Sequence, residues 1–235
     1  MIELRQEICK WYQRKYNVLY DYKTEALLTV GGSEGIDVAL RAMLDPGDEV
    51  IIPEPCYVSY VPCVQLIGAV PVTIELKNEN QFRLTPEELL AAITDKTKIL
   101  ILAFPSNPTG AVMTKEDLEP IAKICQEKDI YVISDEIYSE LTYGGQKHCS
   151  ISSLPGMKDR TIVINGFSKA YAMTGWRLGY ALAPEVIAHQ MTKIHQFQLC
   201  VHQRPVSTQL SRQSRMAMQI SRRCASRMTR DADSC

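Results

Sequence analysis

Short, almost uninterrupted apolar runs alternate along this chain with segments of helical periodicity, and few folds accommodate that alternation. Residues 98–104 and 130–134 are apolar at nearly every position rather than at every second one. A strand of that kind must be covered on both faces, which is the situation of a mainly parallel sheet between helices. Further strands are predicted at 26–30, 49–52, 70–76, 161–165 and 177–182. Helices are predicted at 2–16, at 58–67, and after Gly35, where Ile36, Leu40 and Leu44 share a face. Thr85-Pro86 and Thr114-Lys115-Glu116-Asp117 each read as a helix start. The expected fold class is α/β, a mainly parallel sheet sandwiched by helices. Ligands of such sheets sit beyond the C-terminal strand ends.

Bulk properties narrow the function. Of 235 residues, 46% are hydrophobic and 23% charged, with a net charge of -1, so no overall basic field invites nucleic acid or an anionic membrane. No apolar run suits a membrane span, and the charged start Met1-Ile2-Glu3-Leu4-Arg5 has no signal-peptide core. Eight cysteines include no C-x-x-C pair, which points to reduced thiols rather than disulfides or a metal site. The expected location is cytoplasmic.

Five strand-end segments carry unusual residues. Gly31-Gly32-Ser33-Glu34-Gly35 lets backbone N–H groups approach an anion at a helix start, although Ser33 as a simple helix cap fits as well. It matches neither G-x-G-x-x-G nor a P-loop, which disfavours nucleotides and a Rossmann dehydrogenase. Tyr57 follows the 49–52 strand. Phe104-Pro105-Ser106-Asn107-Pro108-Thr109-Gly110 can hold the Asn107 amide in one orientation, or be only a rigid turn. Asp135, in Ser134-Asp135-Glu136-Ile137-Tyr138, ends a buried strand and needs a partner such as a cationic ring nitrogen, unless it caps a helix. Lys169 follows a strand-end turn, and a lysine partly desolvated beside another cation is a competent nucleophile. Arg177 can supply that cation while forking onto a phosphate.

The order Gly-Gly-Ser-Glu, Pro-x-x-x-Tyr, Asn-Pro-Thr-Gly, Asp-Glu-Ile-Tyr, Ser-Lys-Ala and Gly-Trp-Arg-Leu-Gly resembles the class I/II aminotransferases, the aspartate-aminotransferase-like enzymes of fold type I that use pyridoxal 5′-phosphate. The resemblance implies an enzyme moving an amino group between an amino acid and a 2-oxo acid. Another reaction of the same fold type, such as a carbon–sulfur β-lyase, or a truncated non-catalytic fragment, is the alternative. By matching positions it implies that Lys169 holds the cofactor and shuttles a proton, and that Asp135 pairs with the ring nitrogen. Asn107 and Tyr138 bond the phenolic oxygen, and Tyr57 stacks on the ring. Gly32, Ser33, Glu34, Ser168 and Arg177 hold the phosphate. Gly166 stands where some relatives carry a phosphate-binding hydroxyl, so slightly fewer phosphate contacts are expected. Intact relatives are homodimers.

The resemblance covers residues 1–197, read as the large cofactor-binding domain without its N-terminal arm; the small domain is expected to be missing. Residues 198–235 read as an aberrant, basic and disordered tail from a shifted reading frame, with a real but divergent basic tail as the alternative. Taking the last base of each codon with the first two of the next, Met216-Ala217 forces Gly and Met218-Gln219 forces Ala, which suits an ordinary inter-helix turn.

Overall fold

The computed structural model describes residues 2–143 and 145–202. Helix α1 (Ile2–Tyr16) leads into strand β1 (Ala26–Thr29), helix α2 (Gly31–Met43), β2 (Glu49–Glu54), α3 (Tyr60–Leu66) and β3 (Val70–Glu75). There follow α4 (Pro86–Ala92), β4 (Thr97–Leu102), α5 (Lys115–Glu127), β5 (Tyr131–Asp135), β6 (Thr161–Gly166), β7 (Gly179–Leu182) and α6 (Glu185–His202). The strands form one seven-stranded sheet in the order β1-β7-β6-β5-β4-β2-β3. Pairings from β3 through β6 are parallel, whereas β7 runs antiparallel to both β6 and β1.

Alternate residues of each strand point to opposite faces, and here both faces are covered. Ile99, Ile101, Ile133, Ile162 and Ile164 pack with Ile36, Leu40, Tyr60 and Met191 of α2, α3 and α6. Leu100, Leu102 and Val132 pack with Leu89, Leu118, Ile121 and Cys125 of α4 and α5. Val163, Tyr180 and Leu182 pack against Leu4, Ile8 and Tyr12 of α1. The continuous apolar runs therefore have a physical cause: both sets of side chains lose water, at about 1.5–3 kcal/mol of stabilisation per large aliphatic group. On α5, Leu118, Ile121, Ala122 and Cys125 form the apolar stripe that faces the sheet.

Local starts follow the sequence closely. Thr85 and Glu88 exchange capping-box hydrogen bonds at the head of α4, as Thr114 and Asp117 do for α5. The structure differs from expectation at three places. Helix α2 begins at Gly31 behind Val30, with no side-chain cap, so Ser33 does not act as one. Strand β7 begins only at Gly179, because Arg177 takes a left-handed backbone (φ 49°) that breaks strand pairing. Helix α6 runs through the expected boundary at 197 to His202, and Gln198 donates to Asp37 of α2 at 3.1 Å. The remainder of the expected tail, 203–235, lies outside the described residues.

Candidate active site

Five C-terminal strand ends and the start of β7 converge on one cavity of about 280 Å³, at the small end of ligand-sized pockets. Its lining includes Gly32, Ser33, Tyr57, Asn107, Asp135, Tyr138, Ser168, Lys169 and Arg177, nine of the ten residues singled out from sequence. The antiparallel course of β7 is what delivers Arg177, since the beginning of that strand meets the ends of its neighbours.

Asp135 is buried. It accepts hydrogen bonds from the Tyr60 hydroxyl at 2.8 Å and from the Ile137 N–H at 3.1 Å. Burial pushes its pKa above the ordinary carboxylate value, while those two donors pull it partly back. Burial and the neighbouring carboxylate hold the Tyr60 phenol well above its usual range, so it stays a donor. A carboxylate in this state gains from a cationic partner. No helix follows Asp135, so the capping alternative does not apply; the Ile137 contact closes a local turn instead.

Lys169 rides on a turn anchored by the fully buried Phe167, whose carbonyl accepts from the Tyr171 and Met173 N–H groups at 3.3 Å each. The Thr174 hydroxyl donates to the Ser168 carbonyl at 3.1 Å and tightens the same turn. The Lys169 ammonium lies 5.5 Å from the centre of the Tyr138 ring, within cation–π range. Asn107 stands on a loop closed by Gly110 N–H to Ser106 O and Ser106 N–H to Ala111 O, both 2.9 Å, with Gly110 at the positive φ (74°) the turn needs.

The anion side is the Gly31–Ser33 turn. Thr29 donates its hydroxyl to Gly31 O at 2.8 Å. Gly31 has φ 77°, and a Cβ there would lie 2.5 Å from an Arg177 guanidinium nitrogen, so the cation sits directly against the turn. Across it, a Cβ on Gly179 would come within 2.5 Å of the Gly31 backbone. Hydrogen bonds with Ser59 and Ser33 and the nearby Arg177 lower the Tyr57 pKa against the opposing effect of burial. Gly166 is hemmed in by Leu178 O and Gly179 Cα, at 2.9 and 3.0 Å from a hypothetical Cβ, so a side chain there would require β7 to move.

Glu34 is the tenth residue, and its carboxylate turns away from the cavity. One oxygen accepts the Val30 N–H and the other faces His195 Nδ1. Glu34 is thus the one residue singled out from sequence that does not line the cavity. Two lining residues with polar side chains, Tyr60 and Thr174, were not singled out from sequence. Tyr60 lies three residues after Tyr57, a spacing that can bring two helical side chains to one face, but it reads there as part of an apolar helix.

Two cations and one carboxylate thus ring the cavity, with stacked N–H groups at one end and the buried acid at the other. The set fits a planar ligand bearing an anionic group and a protonated ring nitrogen. Among the described residues no cluster suits a metal ion, and no helix is long and apolar enough to cross a membrane.

Fold and site together define an α/β domain with one ligand-sized cavity at its C-terminal strand ends. The chain belongs to the aminotransferase class I and II family, whose sequence model matches residues 1–231. A putative aminotransferase YugH from Bacillus subtilis is 47% identical over 197 residues, covering 84% of this chain and 51% of its own length. An aspartate aminotransferase from Pyrococcus abyssi is 46% identical, with 83% and 50% covered. The crystal structure of an aromatic aminotransferase from Pyrococcus horikoshii superposes with a TM-score of 0.82 at 46% identity, covering 84% of this chain and 53% of that one. The chain spans about half the length of the curated relatives it matches.

Proposed function

We propose that this chain is the cofactor-binding domain of an aminotransferase that uses pyridoxal 5′-phosphate to move an amino group between an amino acid and a 2-oxo acid. The observation that carries the reading is the convergence of one lysine amine, one buried carboxylate and one anion cradle on a single cavity. When bound, pyridoxal phosphate supplies a reactive aldehyde and a cationic ring that stabilises negative charge at the substrate α-carbon.

The residues divide the remaining work. Asp135 would accept the ring N–H and keep that nitrogen protonated, with Tyr60 holding the Asp135 carboxylate in place. Tyr57 would cover a ring face, and Asn107 and Tyr138 would bond the phenolic oxygen. The N–H groups of Gly32, Ser33 and Glu34, with Ser168 and Arg177, would hold the phosphate. Lys169 would anchor the cofactor through Nζ, and the freed amine would serve as the base that moves the substrate α-proton.

Relatives named for aspartate and for aromatic amino acids favour transfer over carbon–sulfur elimination, with amino acids and 2-oxo acids as substrates. The reading extends to a cytoplasmic homodimer. Val58 and Trp176, exposed next in sequence to the lining residues Tyr57 and Arg177, are apolar surface that a second copy would cover.

Titration of the 235-residue chain with pyridoxal phosphate tests the proposal. A saturable absorbance band is expected, with one borohydride-trapped adduct on Lys169 that Lys169→Ala lacks. Equal labelling of both proteins, or no saturable band, would sink it.

A further inference from the structure

The side chains of Glu34 and His195 do not line the cavity, and neither is used in the chemistry above. Glu34 sits in the first turn of α2, yet its carboxylate reaches back to accept the Val30 N–H at 2.5 Å, just ahead of the Gly31 turn. Its other oxygen lies 3.0 Å from Nδ1 of His195 on α6. The two side chains are only 14% and 16% exposed. Burial alone would favour a neutral Glu34 carboxyl, but the His195 and Val30 hydrogen bonds outweigh it and keep the pKa below the ordinary value. Further along, Gln198 donates to Asp37, so α6 is tied to α2 at two successive levels.

This contact matters because the turn it grips has little rigidity of its own. Two consecutive glycines lose more conformational freedom on ordering than other residues. The geometry must therefore be imposed from outside. Arg177 and Gly179 bear on one side and Thr29 holds the Gly31 carbonyl. The Val30 side is held by Glu34.

We infer that His195 is a positioning residue for the anion cradle: through Glu34 it fixes the backbone of residues 30–33, presenting their N–H groups to a phosphate-bearing ligand and coupling the cradle to helix α6. The identity of the ligand rests on the function proposed above; the coupling between α6 and the turn does not.

Amide hydrogen exchange on the full chain, without added ligand, is the direct test. In His195→Ala the amides of residues 30–33 should exchange about tenfold faster, the loss expected for one hydrogen bond to a charged group, with α5 amides unchanged. His195→Gln, whose amide can still donate to Glu34, should restore most of the protection. Glu34→Gln keeps an acceptor for Val30 and should give a smaller rise in the same segment; it decides the question if His195→Ala does not fold. Affinity for pyridoxal phosphate should fall about tenfold in His195→Ala, while that for pyridoxal, which lacks the phosphate, changes less than twofold. Unchanged exchange at residues 30–33, or equal losses for the two ligands, would overturn the inference. If the wild-type chain binds no pyridoxal phosphate, the functional proposal fails while the exchange comparison still decides this one.

Discussion

Asp135 is the buried acid of the cavity. Burial raises its pKa, so between the unfolded carboxyl value of about 4 and the raised folded value the native state holds the proton more tightly. Stability of the ligand-free chain therefore falls as pH rises through that window, because unfolding releases the proton that the native state still holds. Asp135→Asn removes this dependence. Its melting temperature relative to wild type should be more favourable at pH 7 than at pH 4, and thermal melts at the two values check the sign. Tyr60→Phe acts the other way: it strips a hydrogen bond from a buried acid and should cost about 1.5–3 kcal/mol at neutral pH in urea unfolding. The carboxylate itself was legible in the sequence, because a charge ending an apolar strand demands a partner. Its donor was not, since Tyr60 reads as one more apolar position on α3. Nor was the orientation of Glu34, whose partner His195 is 161 positions away.

At the scale of elements, the tight spot is the contact between β7 and the head of α2. Gly179→Ala would press a methyl onto the Gly31 backbone, which cannot swing aside as a side chain can. A loss of about 1–3 kcal/mol is expected, along with weaker anion binding. Gly175→Ala, close by but with nothing within 4 Å of its Cβ, is the control and should stay within about 0.5 kcal/mol. Paired urea denaturation curves separate the two. Thr114→Ala should cost about 1 kcal/mol through loss of the α5 capping box. Strands and caps were readable because two-sided burial and capping chemistry leave local marks. The reversed direction of β7 leaves none in hydrophobicity.

Across the whole molecule, a second buried acid joins parts that the sheet alone does not. Glu136, fully buried beside Asp135, accepts hydrogen bonds from Tyr12 of α1 at 3.1 Å, from Ser134 at 3.1 Å and from Ser150 at 2.5 Å. Its own N–H donates to Ile164 O of β6 at 2.8 Å. Tyr12→Phe should lower unfolding free energy by about 1.5–3 kcal/mol with little change in the urea m-value. Lys169 should remain available to the cofactor, because Tyr12 touches nothing in the cavity; the trapped adduct reports this.

Among the described residues strand β1 lies at the sheet edge and pairs only with β7, which the chain reaches about 150 residues later. At a synthesis rate of about 5–20 residues per second, that delay is roughly 8–30 s. During this interval the edge of β1 waits unpaired and the Gly31 turn lacks both Gly179 and Arg177. The cradle is therefore begun about 150 residues before it can be finished, and a nascent chain halted before Gly179 would carry Lys169 without the backing that completes its site.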